Sequence, residues 1–197
     1  MSLSSWRQNL FDWWHRAPAG YCPGVTLGHL RRDLAGLDCN PCGVARAVFR
    51  CPQRGLEFAV HERALAQFLM HIVVCEWRLR IPAPGAGQAR ISLRHTGAIC
   101  RQGVAARLLA GEAGQWTPLL QRLGSDPRLL ESLLPLDFKR LELWRDAQGW
   151  QVRLEHFAAS EVVNRLPGFR RYIRLSAEQR QALLGSFTEL YKLLREF

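Results

Sequence analysis

The most constraining feature of this sequence is an alternation of apolar and charged residues over positions 73–81. The alternate positions are apolar, and the charged Glu76, Arg78 and Arg80 separate the later ones. The apolar residues are Val73, Cys75, Trp77, Leu79 and Ile81. Successive side chains of a strand point to opposite faces, so the segment predicts a strand with one buried face and one solvated face. Strands of this kind are typical of antiparallel sheets that helices cover on one face.

Other segments repeat this alternation or carry the signals of helices. Strands are predicted over 44–61, as a hairpin with its turn at 52–55, over 90–95, 138–145 and 150–157, and around 172–173. Helices are predicted over 3–16, over 26–37 with Thr26 as N-cap, and over 104–110. Two more begin at Thr117-Pro118 and Asp126-Pro127.

The closing helix has the clearest signals. Ser176-Ala177-Glu178-Gln179 fits a capping box, and apolar residues recur at helical spacing from Leu183 to Leu194. The element order predicts an α+β fold with a mainly antiparallel sheet, helices on one face and a long C-terminal helix. Residues 1–197 are predicted to form a single domain, with 1–17 as a candidate helical extension.

The chain carries a formal net charge of +10, and almost all of its cations are arginine, since Lys139 and Lys192 are the two lysines. One interpretation is a surface that binds anions such as phosphate, nucleic acid or acidic headgroups. The other is the composition bias of a GC-rich genome. Composition alone leaves both open.

The densest basic stretch lies before the closing helix, where an aromatic residue lies among arginines. This arginine strip comprises Arg165, Arg170, Arg171, Tyr172 and Arg174. Such a strip is a candidate anion-binding site, because guanidinium groups bind phosphates and a ring can stack on a base. The alternative is an edge strand whose outward arginines prevent aggregation.

The first predicted helix is rich in tryptophan. Trp6, Leu10, Trp13 and Trp14 share one side of it. Tryptophan favours the headgroup boundary of a membrane, so these residues are a candidate membrane anchor. Packing against a protein surface is the alternative, since large aromatic side chains dominate interfaces.

The cysteines provide one short motif, Cys39-Asn40-Pro41-Cys42, in a predicted loop before a strand. Cys39 and Cys42 have the spacing of half a zinc site, but the sequence has no second pair of this spacing. Unpaired thiols, a metal site and a redox pair remain open, and no cofactor is predicted.

A second hypothesis is an enzyme or ligand carrier with a pocket between the sheet and the closing helix. Its polar lining would be His61, His71, Glu76, His95 and Tyr172. No spacing forces these side chains together. The sequence has no Gly-x-Ser-x-Gly motif and no phosphate-binding loop with Gly-Lys, so no catalytic residue is assigned.

No export signal or membrane-spanning segment is predicted, which favours a cytoplasmic protein that could lie at a membrane surface. Ser160-Glu161-Val162-Val163, with Leu166-Pro167 and Arg170-Arg171-Tyr172-Ile173, resembles small uncharacterised proteobacterial proteins of a family of unknown function. This resemblance covers the last third of the chain and implies no activity. The leading hypothesis is a non-enzymatic binding or scaffold protein whose basic surface meets an anionic or apolar partner. Nucleic-acid binding through the arginine strip is a further alternative.

Overall fold

The computed structural model describes residue 18 and residues 20–83, 87–97 and 101–197. Its helices are α1 (Val25–Asp33), α2 (Ala113–Ser125), α3 (Pro127–Leu133) and α4 (Ala177–Leu194). Its strands are β1 (Asp38–Gly43), β2 (Arg46–Cys51), β3 (Leu56–Ala66), β4 (Met70–Ile81), β5 (Ala89–Thr96), β6 (Gly103–Ala110), β7 (Phe138–Asp146), β8 (Gly149–His156), β9 (Ser160–Arg165) and β10 (Gly168–Ile173). The predicted helix over 3–16 lies outside the described residues.

The strands form one antiparallel sheet around β4. On one edge of β4 follow β3, β2 and β1. The other edge is shared, because Glu76–Ile81 pair with β8 and Met70–Val73 pair with β9. β7, β5 and β6 continue the sheet beyond β8, and β10 continues it beyond β9. The predicted mainly antiparallel sheet is confirmed.

The helices pack against one face of this sheet, called here the covered face. The ring of Phe58 on β3 lies 5.6 Å from that of Trp77 on β4 and 5.4 Å from that of Phe187 on α4, measured between centroids. Trp116 of α2 packs edge-on against Trp150 of β8 at 5.3 Å. These side chains are almost fully buried, so the predicted alternation in β4 and the apolar stripe of α4 meet in one core.

The N-terminus of α4 is also as predicted. The Ser176 hydroxyl accepts a hydrogen bond from the Gln179 amide, and the Gln179 side chain accepts one from the Ser176 amide. Among the described residues, no helix has both the length and the apolar character needed to cross a bilayer.

The segment 104–110 corrects a prediction, because it is strand β6 and not a helix. It pairs with β5 in register from Thr96↔Gly103 to Ile91↔Leu108. Val104 is buried, and the exposed Arg107 points to the opposite face. The Ala and Leu content favours a helix locally, but the free edge of β5 and the burial of alternate side chains favour a strand.

The predicted cap of α1 is wrong as well. Its N-cap is Gly24, with φ of 86°, whereas Thr26 is buried within the helix and donates its hydroxyl hydrogen bond to Glu161 Oε2 at 3.1 Å. The Glu62 carboxylate on β3 accepts from the Gly24 amide at 2.8 Å and from the Leu27 amide at 2.6 Å. A carboxylate distant in sequence therefore satisfies the helix N-terminus.

Two further boundaries differ from prediction. Cys39-Asn40-Pro41-Cys42 lies in strand β1 rather than in a loop, paired with β2. Helix α2 begins at Ala113, earlier than predicted, and the Thr117 hydroxyl donates to the Ala113 carbonyl instead of capping a helix. Asp126, by contrast, caps α3 as predicted, because its carboxylate accepts from the Leu129 amide.

We predict that Glu62→Ala lowers the free energy of unfolding by about 1–3 kcal/mol, because it leaves the Gly24 and Leu27 amides and the Tyr21 hydroxyl without their acceptor. Urea denaturation measures the change. Glu57→Ala, on the other face of the same strand, is the control and should change stability by less than about 0.5 kcal/mol. Equal losses in both variants would contradict the capping role.

Candidate anion-binding surface

The opposite side of the sheet, called here the open face, carries the residues that alternate with the core positions. In the described part of the chain, no helix packs against it. Strand pairing places on it a set of arginines from eight strands: Arg46, Arg50, Arg63, Arg78, Arg80, Arg90, Arg94, Arg107, Arg140, Arg153 and Arg171. They outnumber the carboxylates of the same face, which are Asp38, Glu57, Glu76, Glu142, Asp146 and Glu155.

Two buried glutamates lie at the centre of the open face. Glu76 and Glu155 are cross-strand partners on β4 and β8, and their side chains are 3% and 4% exposed. Arg63 bridges them, with Nη1 3.2 Å from Glu76 Oε2 and in contact with Glu155 Oε1. Arg78 contacts Glu76, and Arg140 Nη1 lies 3.3 Å from Glu155 Oε1. The arginines therefore neutralise the neighbouring negative charges of Glu76 and Glu155.

The charge state of Glu76 follows from these contacts. Burial alone raises its pKa, since a carboxylate loses hydration. The hydrogen bond and charge of Arg78, together with the charges of Arg63 and Arg153, act in the opposite direction and hold the pKa of Glu76 below its usual value. Glu76 is therefore a carboxylate at neutral pH.

Trp144 fixes two further arginines on the open face. Arg90 and Arg153 lie over its ring, with Cζ 4.2 Å and 4.9 Å from the ring centroid. Arg90 also donates to Glu142 Oε2 at 3.1 Å. Guanidinium groups stacked on a ring lose little further freedom when they bind an anion.

Other arginines of the open face have no carboxylate partner among the described residues. These are Arg46, Arg80, Arg94, Arg107, Arg153 and Arg171. Arg46 and Arg80 line a shallow depression of about 170 Å³ together with His61, Arg78 and Gln151. Pockets for drug-sized ligands measure roughly 300–1,000 Å³, so this depression suits a small anionic group at a surface.

His61 contributes no positive charge to this depression at neutral pH. Burial lowers the pKa of His61, and the charges of Arg78 and Arg46 lower it further. The neutral ring leaves three arginines and one carboxylate, Glu57, as the charged groups that line the depression.

The arginine strip is divided between the two faces. Arg170 lies on the covered face, where its Nε is 3.5 Å from Glu161 and its Nη2 donates to the Gly20 carbonyl at 2.7 Å. Arg174 is 3.1 Å from Asp33, although most of its side chain is exposed. Arg171 points to the open face, and the Arg165 side chain lies outside the described atoms.

Tyr172 of the strip belongs to the contact between β10 and α1. Its hydroxyl donates to Asp33 Oδ2 at 2.8 Å, and its ring stacks on His29 at 4.7 Å. Burial and the Asp33 carboxylate raise the pKa of Tyr172, so the hydroxyl remains a donor. Tyr172 therefore holds α1 against β10.

The histidines of the second hypothesis do not converge on the space between sheet and α4. His61 and Glu76 are partners on the open face, whereas His71 lies on the covered face. His95 packs against Phe138, and its Nε2 lies 2.9 Å from the Leu136 carbonyl oxygen. Buried apolar side chains fill the region beneath α4.

The cysteines show no arrangement for a metal. Cys39 and Cys42 lie on β1 as free thiols, and burial raises the pKa of Cys39. Over the described ranges, no group of three or more His, Cys, Asp or Glu residues could hold a metal ion. The candidate anchor residues Trp6, Leu10, Trp13 and Trp14 lie outside those ranges.

A family model described as "Protein of unknown function (DUF3156)" matches residues 32–194. The chain belongs to this family. No curated protein and no solved structure matches it. The match confirms the predicted resemblance to a family of unknown function. It includes every strand of the open face and leaves out the tryptophan-rich segment.

The open face was not predicted as a site, because its arginines are spread over eight strands. The sequence did contain one signal of it, because residues two positions apart in a strand lie on the same face. Arg78 and Arg80 share one face of β4, and Arg90 and Arg94 share one face of β5. Register joins these pairs into one surface, and register between distant strands is not visible in the sequence.

We predict that Glu76→Gln lowers the free energy of unfolding by about 1–3 kcal/mol at pH 7, because Arg63 and Arg78 lose a buried counter-charge. The loss is limited because both arginines are partly exposed to water. The folded pKa of Glu76 lies below the unfolded value of about 4.3, so its contribution is present above that pH and is lost as pH falls through the folded value. The difference in the free energy of unfolding between Glu76→Gln and the wild type should become smaller below about pH 4.

Urea denaturation at a series of pH values measures this difference. Glu57→Gln is the matched control, since Glu57 pairs with Arg50 on the same face but is 54% exposed. Its effect should stay below about 0.5 kcal/mol at every pH. A Glu76→Gln difference that does not change with pH would contradict the assigned charge state.

Proposed function

We propose that this protein is a non-enzymatic binding protein whose open sheet face meets an anionic partner. The observation that carries the proposal is the excess of arginines on a sheet face that no described helix covers. A field of one sign over a broad surface attracts polyanions and raises their association rate.

The charge of this face is available to a partner. Arg46, Arg80, Arg94 and Arg107 are exposed and form no ion pair with a described carboxylate. An arginine already paired must exchange one carboxylate for another anion, whereas these side chains need not give up a carboxylate. Arg80 donates only to the neutral Gln148 side chain, at 2.9 Å. Guanidinium groups of this kind form bidentate hydrogen bonds to phosphate or carboxylate oxygens.

The paired residues prepare the same surface. Glu76 and Glu155 hold Arg63, Arg78 and Arg140 in place. Surface arginines normally lose side-chain entropy when they bind, so arginines held in advance favour binding. The glutamates also separate the cations that would otherwise repel each other.

Binding is a better account than catalysis for the shape of this surface. The depression beside His61 is shallow. Its carboxylate, Glu57, and its neutral histidine lie among arginines. A broad, charged face whose depression is shallow suits an extended partner.

The candidate residues of the sequence analysis extend this proposal. Arg171 lies on the open face and would add to its charge, whereas Arg170 and Arg174 contact carboxylates on the covered face. The candidate anchor residues would supply an apolar contact in addition to the basic one; they are Trp6, Leu10, Trp13 and Trp14.

We predict that Arg46→Glu/Arg80→Glu weakens binding to a generic polyanion, immobilised heparin, by about tenfold, because it reverses two unpaired charges at the depression. Elution salt concentration and binding at several salt concentrations measure the effect. Affinity of the wild type should fall steeply as salt rises, since exposed charges are screened.

The matched control is Arg31→Glu/Arg128→Glu, which changes net charge by the same amount in α1 and α3. This control should elute close to the wild type. If both pairs of substitutions weaken binding equally, net charge and not the open face is responsible, and the proposal fails. Salt-independent retention would also contradict it.

A further inference from the structure

Two hairpin turns at one end of the sheet expose large apolar side chains. The β3–β4 turn carries Phe68, which is 92% exposed, and Leu69, which is 46% exposed. The β9–β10 turn carries Leu166, which is 72% exposed, and Phe169 at its base, which is 47% exposed. Turns usually carry glycine or short polar residues, so apolar side chains at both turns are unusual.

The two turns are neighbours. Met70 at the start of β4 pairs with Asn164 of β9, and Asn164 pairs with Phe169 of β10. Adjacent strands lie about 4.8 Å apart, so the two turns project side by side from the sheet. Phe68, Leu69, Leu166 and Phe169 together are called here the apolar end.

Single exposed apolar residues are ordinary on a protein surface, but a contiguous cluster marks a contact with an apolar phase or partner. The cluster here lies on protruding turns rather than in a groove. A projecting apolar tip suits insertion into a deformable medium such as the interface of a bilayer.

Basic residues lie directly behind the apolar end. Arg170 and Arg171 follow Phe169, and Arg171 is exposed on the open face. The order from the tip inward is therefore apolar, then cationic. This order matches the boundary of a bilayer with anionic headgroups, where apolar side chains enter the acyl region and guanidinium groups remain with the phosphates.

Gly20 contacts β10 on the covered face, one residue along the strand from Phe169. The Gly20 carbonyl accepts the hydrogen bond from Arg170, which is next to Phe169. The residues before it include Trp6, Trp13 and Trp14. Tryptophan is enriched at the headgroup boundary of membranes, so the composition of this part of the sequence favours a lipid partner.

We propose that the apolar end inserts into the interface of a bilayer that contains anionic lipid. This inference deepens the proposed function and rests on it in part, because it names a membrane surface as the anionic partner. Insertion of the turns supplies the apolar contact, and the arginines behind them and on the open face supply the attraction to the headgroups.

The test is co-sedimentation of the full-length protein with vesicles of phosphatidylcholine, alone or with about 30% phosphatidylglycerol. We expect the wild type to bind the anionic vesicles. Phe68→Ser/Leu166→Ser should weaken this binding about tenfold or more, since it removes two apolar side chains that insertion would bury. Both side chains are exposed, so the variant should keep the wild-type circular dichroism and thermal midpoint.

The matched control is Leu109→Ser/Phe157→Ser. Leu109 and Phe157 are 45% and 50% exposed and lie outside the apolar end. This control should bind like the wild type. Equal binding by wild type and Phe68→Ser/Leu166→Ser would overturn insertion, and so would equal loss in both double variants.

The outcomes separate this inference from the proposed function. If the wild type binds heparin through the open face but sediments with neither kind of vesicle, the lipid assignment fails and the anion-binding face stands. If Phe68→Ser/Leu166→Ser abolishes a self-association seen in sedimentation velocity and does not change vesicle binding, the apolar end contacts a second copy of the chain and the inference is wrong.

Discussion

The open face depends on one electrostatic constraint, the burial of two neighbouring carboxylates at the centre of the sheet. Glu76 and Glu155 lie side by side with almost no exposure to solvent. Two such charges are stable together only if cations surround them. Arg63, Arg78 and Arg140 meet this requirement. The unpaired arginines add further positive charge around them.

The two faces of the sheet have different roles, because one forms the core and the other carries the charged surface. The covered face carries Trp77, Phe58 and Phe187 in the core, and its burial under helices supplies most of the favourable free energy of folding. The open face contributes less to the core and is free to carry charge. An antiparallel sheet allows this division, because only one face needs to be buried.

The shape of the molecule links this face to the apolar end. Arg171 is part of the open face and lies close in sequence to Phe169 of the apolar end. A partner that offers negative charge and an apolar phase together can contact both surfaces, whereas a nucleic acid offers little to Phe68 and Leu166. This continuity is the reason for assigning an anionic bilayer as the partner.

The sequence predicted the parts of the fold that depend on local patterns. Alternation predicted β4, and Ser176 with Gln179 predicted the start of α4. The sequence did not predict β6, whose Ala and Leu residues favour a helix until the edge of β5 pairs with them. Nor did it predict that Glu62, from a distant strand, would cap α1.

The candidate site was less predictable for the same reason. The arginine strip was visible because its residues are consecutive, yet a strand sends consecutive side chains to opposite faces, so Arg170 and Arg171 are separated. The arginines that do share a face, such as Arg46 and Arg80, come from strands whose order and register depend on the whole sheet. Site prediction therefore required the pairing of distant strands.

The account depends most directly on whether the open face is accessible in the intact protein. Modification of the full-length chain by phenylglyoxal, followed by mass spectrometry of its peptides, measures this for individual arginines. We predict rapid modification of Arg46, Arg94 and Arg107, slow modification of the buried Arg145, and protection of the first three when anionic vesicles are bound. Reaction of Arg46, Arg94 and Arg107 as slow as that of Arg145 in the free protein would show that the face is covered and would contradict the account.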